Sequence, residues 1–292
     1  MQINYKRFMK VIRTTLDLQS QIKKLNLVPV GLVPTMGALH NGHLSLAETA
    51  IKQCPIVIVS VFVNPKQFNS KNDLEIYPRT LDHDLTLLDQ VIRETDIVFV
   101  PNYKEIYPED DKTESVFNFG NLDNVMEALH RQGHFNGVAQ VVSRLFNIVQ
   151  PDIAIFGKKD FQQLAVIKEL VKQTGNKVKI IGNPIIREKD GLAMSSRNLL
   201  LEPAIRKNAA AIYKTLLSAS AMITHNDIPN IKTFVEKSIN DIPGFEVEYF
   251  EIVDDIDLIP VNNKDKMETG KQYIACIAVK AGDIRLIDNI EF

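Results

Sequence analysis

The sequence predicts an α/β fold, with an open Rossmann-like parallel sheet over residues 1–184 and a smaller C-terminal α+β domain over residues 185–292. Three observations predict it. The run Ile56-Val57-Ile58-Val59-Ser60-Val61-Phe62-Val63 is almost unbroken in apolar, mostly β-branched residues, as suits a strand covered on both faces. Residues 29–34 form a second apolar strand, and Leu44, Ala47, Ala50, Ile51 and Cys54 recur behind it at helical spacing. Strand, helix and strand in that order make a βαβ unit. Beyond about residue 184 the grain changes to helices followed by alternating segments.

In chain order, an opening strand near residues 8–13 precedes a helix with Thr14 or Thr15 as cap and Leu18, Ile22 and Leu25 on its apolar face. The βαβ unit follows. A polar segment, 64–79, leads into a helix carrying Leu81, Leu85, Leu88 and Ile92, and Ile97-Val98-Phe99-Val100 is the next strand. Residues 103–113 read as a charged loop, 115–119 as a short strand and 121–129 as a short helix. Gly133-His134-Phe135-Asn136-Gly137 breaks the pattern before a strong helix at 138–150. Strand 153–156, helix 161–173 and an interrupted strand at 177–186 close the first domain. Asp190-Gly191 marks a tight turn. Helices at about 203–223 and 228–239 then precede antiparallel strands at 246–253, 272–279 and 284–287.

A formal net charge of −2 over 292 residues argues against nucleic acid or an anionic membrane as partner. No stretch approaches a transmembrane length, and residues 1–13 carry basic residues without an apolar run, so neither a membrane anchor nor a signal peptide is expected. Cys54 and Cys276 lie far apart in apolar segments and read as buried thiols in a reducing cytoplasm. No Cys/His cluster has zinc spacing.

The chemistry concentrates in Met36-Gly37-Ala38-Leu39-His40-Asn41-Gly42-His43, between the first buried strand and its helix. Such a turn exposes unpaired backbone N–H groups and the positive end of a helix dipole. Glycines let the backbone approach a phosphate closely. His40 and His43, in an H-x-G-H pattern, add donors for negative charge gathering on a reacting α-phosphate. A nucleotide triphosphate is expected here.

The stretch Pro34 to His43 resembles the signature of the pantothenate synthetase (pantoate–β-alanine ligase) family, within the HxGH nucleotidyltransferase superfamily. The match continues in order: Phe62-Val63-Asn64-Pro65-Lys66-Gln67-Phe68, Tyr77-Pro78-Arg79-Thr80, Gly133-His134-Phe135-Asn136-Gly137-Val138, Gly157-Lys158-Lys159-Asp160-Phe161-Gln162-Gln163 and Gly191-Leu192-Ala193-Met194-Ser195-Ser196-Arg197-Asn198. The resemblance implies ATP-dependent condensation of pantoate with β-alanine through a pantoyl adenylate, with release of AMP and pyrophosphate. It also implies a homodimer.

Carried over residue by residue, the resemblance makes His43 the catalytic histidine, with His40 beside it on the phosphates. Gln67 and Gln163 resemble the glutamines that hold pantoate; an amide both donates and accepts, which suits a hydroxy acid. Lys159 offers a compact charge to a phosphate, and Asp160 a helix cap and a ribose acceptor. Gly157 and Lys158 complete that turn, and the family more often has Glu at the place of Lys158. Met194-Ser195-Ser196-Arg197 resembles the mobile KMSKS loop of class I aminoacyl-tRNA synthetases, and Ile186 falls where the family contacts adenine through its backbone.

Asp84 is the expected magnesium ligand, directly or through water, although an acid in the first turn of a helix also serves its dipole. Where the family reads RPGHF, this chain has Arg131-Gln132-Gly133-His134-Phe135, which leaves the role of Arg131 open. His130, His134 and His225 read as structural or exposed. Two other readings stay open. One is a superfamily nucleotidyltransferase that adenylylates a phosphorylated cofactor precursor. The other is a non-enzymatic nucleotide-sensing or tRNA-binding module.

Overall fold

The computed structural model describes residues 9–108 and 116–292. The chain divides into two compact units. One gathers Met1–Phe119, Arg131–Lys158 and Val166–Pro184; the other gathers Gly120–His130, Lys159–Ala165 and Ile185–Phe292.

The first unit is built on a parallel sheet of six strands: β1 (Lys10–Ile12), β2 (Val30–Thr35), β3 (Ile56–Val61), β4 (Ile97–Phe99), β5 (Ile153–Gly157) and β6 (Lys179–Asn183), in the order β1-β4-β3-β2-β5-β6. Every residue of β3 is buried, as its β-branched run requires. β2 and β3 pair from Val30↔Ile56 to Thr35↔Val61. The chain runs outward from β2 through β3 to β4, then returns to place β5 on the other side of β2. The turn after β2 therefore lies at the topological switch point, where ligands of open α/β sheets bind.

Carboxylates fasten the other ends of these strands. Asp152 accepts from the Val30 amide at 2.6 Å, and Asp96 from the Val57 amide at 2.9 Å while Arg93 braces it. The helix Thr15–Leu25 is capped by the Thr14 hydroxyl, which accepts from the Asp17 amide. Helices Asn41–Ile51, Leu81–Leu88 and Phe161–Thr174 occupy the expected positions, with Leu44, Ala47, Leu85 and Leu88 in the core beside Val57 and Val59. Two short helices also form, Lys71–Ile76 within the polar segment 64–79 and Tyr103–Ile106 within the expected loop at 103–113. Residues 109–113 of the expected charged loop, Ser115 of the strand expected at 115–119 and Phe8 of the opening strand lie outside the described residues, and residues 116–119 form no strand.

The long helix begins at His134, not 138, and runs to Val149. Gly137 within it does not break it. A Cβ on Gly137 would come 2.2 Å from the Lys66 carbonyl oxygen, so glycine here lets the helix touch another backbone.

In the second unit, β7 (Phe245–Asp254), β8 (Tyr273–Ala281) and β9 (Ile284–Glu291) form an antiparallel sheet in the order β7-β8-β9. Helices Ala211–Met222 and Ile228–Asn240 share a core with it through Leu216, Ile231, Val235, Phe250, Ile252 and Ile277. The helix expected at 203–223 is divided at Ala210. The segment expected as one helix at 121–129 is a 3-10 turn, Gly120–Asp123, and a short helix, Glu127–His130. Buried Glu127 ties that segment to the sheet, accepting both terminal nitrogens of Arg285 at 2.7 Å and the Tyr249 hydroxyl at 2.8 Å. Both cysteines are buried and free. Among the described residues, no helix is long and apolar enough to cross a membrane.

Candidate active site

His40 is the N-cap of the helix Asn41–Ile51, so both histidines sit at its entrance. The His40 Nδ1 accepts from the Gly42 amide at 3.1 Å, and the His43 Nδ1 accepts from the His40 amide at 3.4 Å. With each Nδ1 an acceptor, the neutral rings carry their proton on Nε2. The ring centroids are 4.1 Å apart. Two N–H donors are thus presented side by side.

The backbone of this turn is differently employed from what its sequence suggests. The Ala38 and Leu39 amides donate to Asp84 at 3.0 and 2.8 Å, and the Gly37 amide to the Thr35 hydroxyl at 3.3 Å. The His43 and Leu44 amides return to the His40 carbonyl. The expectation of a row of unpaired amides is therefore corrected: most of the turn's amides are used in holding its own shape, which leaves the two imidazoles as its candidate functional groups. Gly37 adopts φ +79°, and a Cβ there would lie 2.9 Å from the Asp84 carboxylate. Ala38 shares the left-handed region at φ +48°.

Asp84, expected to hold magnesium, is 1 % exposed and also accepts from the Thr80 hydroxyl at 3.1 Å. Its carboxylate shapes the turn. A hard cation needs open oxygens, and the described residues contain no cluster of three or more His, Cys, Asp or Glu side chains placed for a metal. Direct ligation by Asp84 does not fit this donor set.

Gln67 ends a 3-10 turn, Pro65–Gln67, that follows β3 and is capped by Asn64. Its amide nitrogen donates to the Met36 sulfur at 3.0 Å, and its oxygen accepts from Asn64 at 3.1 Å. The structure thus joins Gln67 to the first residue of the histidine turn. Asn64 is the hub: it also donates to the Gly137 carbonyl at 3.0 Å and accepts from the Tyr107 hydroxyl at 3.0 Å. Burial, first, pushes the Tyr107 hydroxyl well above its ordinary value, so it remains a donor. The one local signal for Asn64 is its place before Pro at a strand end, a capping position that gives no hint of its hub role. Nothing local could have found Tyr107.

Buried His134 holds the same segment. Its Nδ1 lies 2.7 Å from the Gln67 carbonyl oxygen, and its Nε2 lies 3.1 Å from the Arg131 guanidinium. Arginine only donates, so Nε2 accepts and Nδ1–H donates to Gln67. Arg131, left open by the sequence, sets this tautomer. In place of the family's proline, Gln132 offers its carbonyl to Asn69.

Gly157 ends β5 opposite Asn183 of β6. The Lys158 amide donates to the Asn183 carbonyl at 2.8 Å. The Asn183 side chain accepts from Thr49 and donates to Ser45, both on the histidine-bearing helix. No local pattern signals that tie, because its partners lie about 135 residues apart.

In the second unit, the Lys159 ammonium lies 3.9 Å from the neighbouring Asp160 carboxylate. Gln163 is half-buried, while its neighbour Gln162 is buried and holds the Leu122 and Val125 carbonyls and the Glu127 amide. Met194 pairs its amide with the Ile186 carbonyl at 3.0 Å, and Ser195 caps the turn Ser196–Leu200 by accepting from the Arg197 amide. Ser196 is buried. Asn198 secures the turn from below through Glu188 and the Ala193 carbonyl.

A family profile described as pantoate-beta-alanine ligase matches residues 10–291. The chain is 48 % identical over 286 residues to a pantothenate synthetase of Bacteroides thetaiotaomicron, an alignment covering 97 % of this chain and 99 % of the relative. The crystal structure of pantothenate synthetase from Thermus thermophilus matches with a TM-score of 0.87 and 38 % identity, over 97 % of this chain and 99 % of that one. A pantoate-beta-alanine ligase from Francisella tularensis, complexed with beta-gamma ATP and beta-alanine, matches with a TM-score of 0.79 and 32 % identity over 97 % of each chain.

Proposed function

We propose a two-step reaction for this chain, which belongs to the pantoate–β-alanine ligase family and is a ligase of pantothenate biosynthesis. A pantoate carboxylate oxygen attacks the α-phosphorus of ATP, the bond to the β,γ-phosphates breaks, and pyrophosphate leaves. The β-alanine amine then attacks the acyl carbon of the pantoyl adenylate, and AMP departs as pantothenate forms.

The observation that carries this reading is the paired imidazoles, each with Nδ1 tied to a backbone amide. Their Nε2–H groups meet the charge that grows on the α-phosphate, with His43 acting on the reacting phosphate and His40 beside it. The surrounding residues 36–43 hold the phosphates by shape. Lys159 and Arg197 neutralise the phosphates and the departing pyrophosphate, with Gly157, Lys158, Asp160, Ile186, Met194, Ser195 and Ser196 lining the nucleotide. Gln67 and Gln163 hold pantoate. The Gln67 amide rests on a thioether, a weak acceptor that a carboxylate readily replaces. Asp84, buried and engaged by three donors, would not hold a magnesium ion brought by ATP; such an ion would be left to phosphate oxygens and water.

As the family resemblance implies, the working form is a cytoplasmic homodimer, a state that sedimentation equilibrium reads directly. The chemistry is tested by exchange of labelled pyrophosphate into ATP, which should require pantoate but not β-alanine. Exchange that runs equally well without pantoate would remove pantoate as the first substrate. His43→Ala should lower exchange by about a hundredfold or more while changing ATP affinity far less.

A further inference from the structure

We propose that Asn289 is a positioning residue for Lys159, fixing the lysine's main chain to the strand that also anchors the hairpin leading into Met194–Arg197. The proposal rests on the phosphate role given to Lys159 above and says what holds that lysine in register.

Lys159 lies in the turn between β5 and the helix Phe161–Thr174. Its carbonyl oxygen accepts from the Asn289 amide at 2.9 Å. Asn289 is only 7 % exposed, so water cannot readily replace this donor. The main chain of Asn289 is itself held. Its N–H donates to the Asp288 carboxylate at 2.8 Å, and its carbonyl accepts from Arg187 at 3.3 Å.

Arg187 completes the connection. Its guanidinium meets both Asp288 oxygens, at 2.6 and 3.0 Å, donates to the Gly191 carbonyl at 3.2 Å, and lies 3.5 Å above the Tyr213 ring. Gly191 sits at φ +100°, where a Cβ would meet the Tyr213 ring at 2.9 Å, so the hairpin tip is pinned on that ring. Across the hairpin, Met194 is paired to Ile186. The turn at 159 and the loop at 194–197 are therefore both referenced to β9. Electrostatic stabilisation depends on donors set to a fraction of an ångström, so a shared anchor keeps the two cationic side chains in fixed relation.

The test is a double-mutant cycle in the full-length enzyme. Asn289→Leu removes the donor while keeping the branching and the number of side-chain heavy atoms; if the bulkier side chain does not fold, Asn289→Ser, which is smaller and too short to reach the carbonyl, is read the same way. Thermal melting and kcat with KM for pantothenate formation are measured for the single variants, for Lys159→Ala and for the double variant. Asn289→Leu should lower kcat about tenfold in the native background, leave the KM for pantoate within about twofold, and change kcat less than about twofold when Lys159 is already Ala. An equal loss in both backgrounds would overturn the proposal, as would a lower melting temperature with kcat intact. If Lys159→Ala leaves kcat unchanged, the phosphate role and this proposal fall together. If it lowers kcat while the Asn289 effect persists undiminished, only this proposal falls.

Discussion

Asp84 and Asp288 are both buried carboxylates that shape a turn bearing candidate site residues, one in each unit, yet their partners differ in kind. Asp84 accepts from two backbone amides and a threonine hydroxyl, all neutral donors, and by doing so sets the path of the histidine turn. Asp288 faces a guanidinium in a two-pronged pair and shares it with a carbonyl of the hairpin. The first carboxylate is a template for backbone shape. The second is half of an ion pair. Losing a template should be felt in catalysis, because the imidazoles ride on the backbone it moulds. Losing half of a buried pair should be felt in stability, because the partner charge is stranded.

The largest effect should come from Asp84→Ala. Two buried amides lose their acceptor, and the turn at Gly37–Leu39 relaxes away from the geometry that stacks the histidines. Turnover should fall about a thousandfold, as when a positioned donor set is lost, with stability lower by about 2–3 kcal/mol. Steady-state kinetics beside a denaturation curve separate the two. A variant that loses stability but keeps kcat per folded molecule would show that the turn holds its shape without this carboxylate.

Asp288→Ala should reverse the balance. Arg187, whose side chain is 17 % exposed, would keep its charge with no carboxylate beside it. Stability should fall by about 3–5 kcal/mol, read by urea denaturation. Activity per folded molecule should fall less than in the Asp84 variant. Equal kinetic losses in the two would erase the distinction between template and ion pair.

Gly137→Ala strains the Gln67 segment with no change of charge. The new methyl would sit 2.2 Å from the Lys66 carbonyl, so helix or turn must move. A cost of about 2 kcal/mol is expected, together with a raised KM for pantoate and a nearly unchanged KM for ATP. A rise confined to ATP would place Gln67 on the wrong substrate.

These contrasts also explain what was legible beforehand. The histidine turn could be read because it is local: strand, glycine, H-x-G-H and helix follow one another in the chain. The parallel sheet was readable from the β3 run for the same reason. The function of Asp84 was not, because a first-turn acid looks like a dipole partner and its true partners lie about 45 residues upstream. Asn289 stands 130 residues from the carbonyl it holds. Gly137 read as a helix breaker because the backbone it approaches belongs to another motif. Local pattern marked the candidate groups, whereas long-range hydrogen bonds decide how they are held.

The smallest effect is the most discriminating, because it depends on sign alone. The hairpin at 186–194 is held by two carboxylates that titrate on opposite sides of the ordinary aspartate value of 3.8. The hydrogen bond from Arg206 holds Asp190 below it, whereas burial raises Asp288 above it despite Arg187. A lowered carboxyl contributes stability above its unfolded value and loses it as pH falls through the folded one. A raised carboxyl does the opposite: its contribution is complete below the unfolded value and is lost as pH rises through the folded one. Stability measured against pH between about 3 and 6 should therefore give difference curves of opposite slope. Wild type minus Asp190→Asn should rise with pH, and wild type minus Asp288→Asn should fall. Two curves of the same sign would mean that Arg187 outweighs burial at Asp288, making it an ordinary ion pair like Asp190 with Arg206.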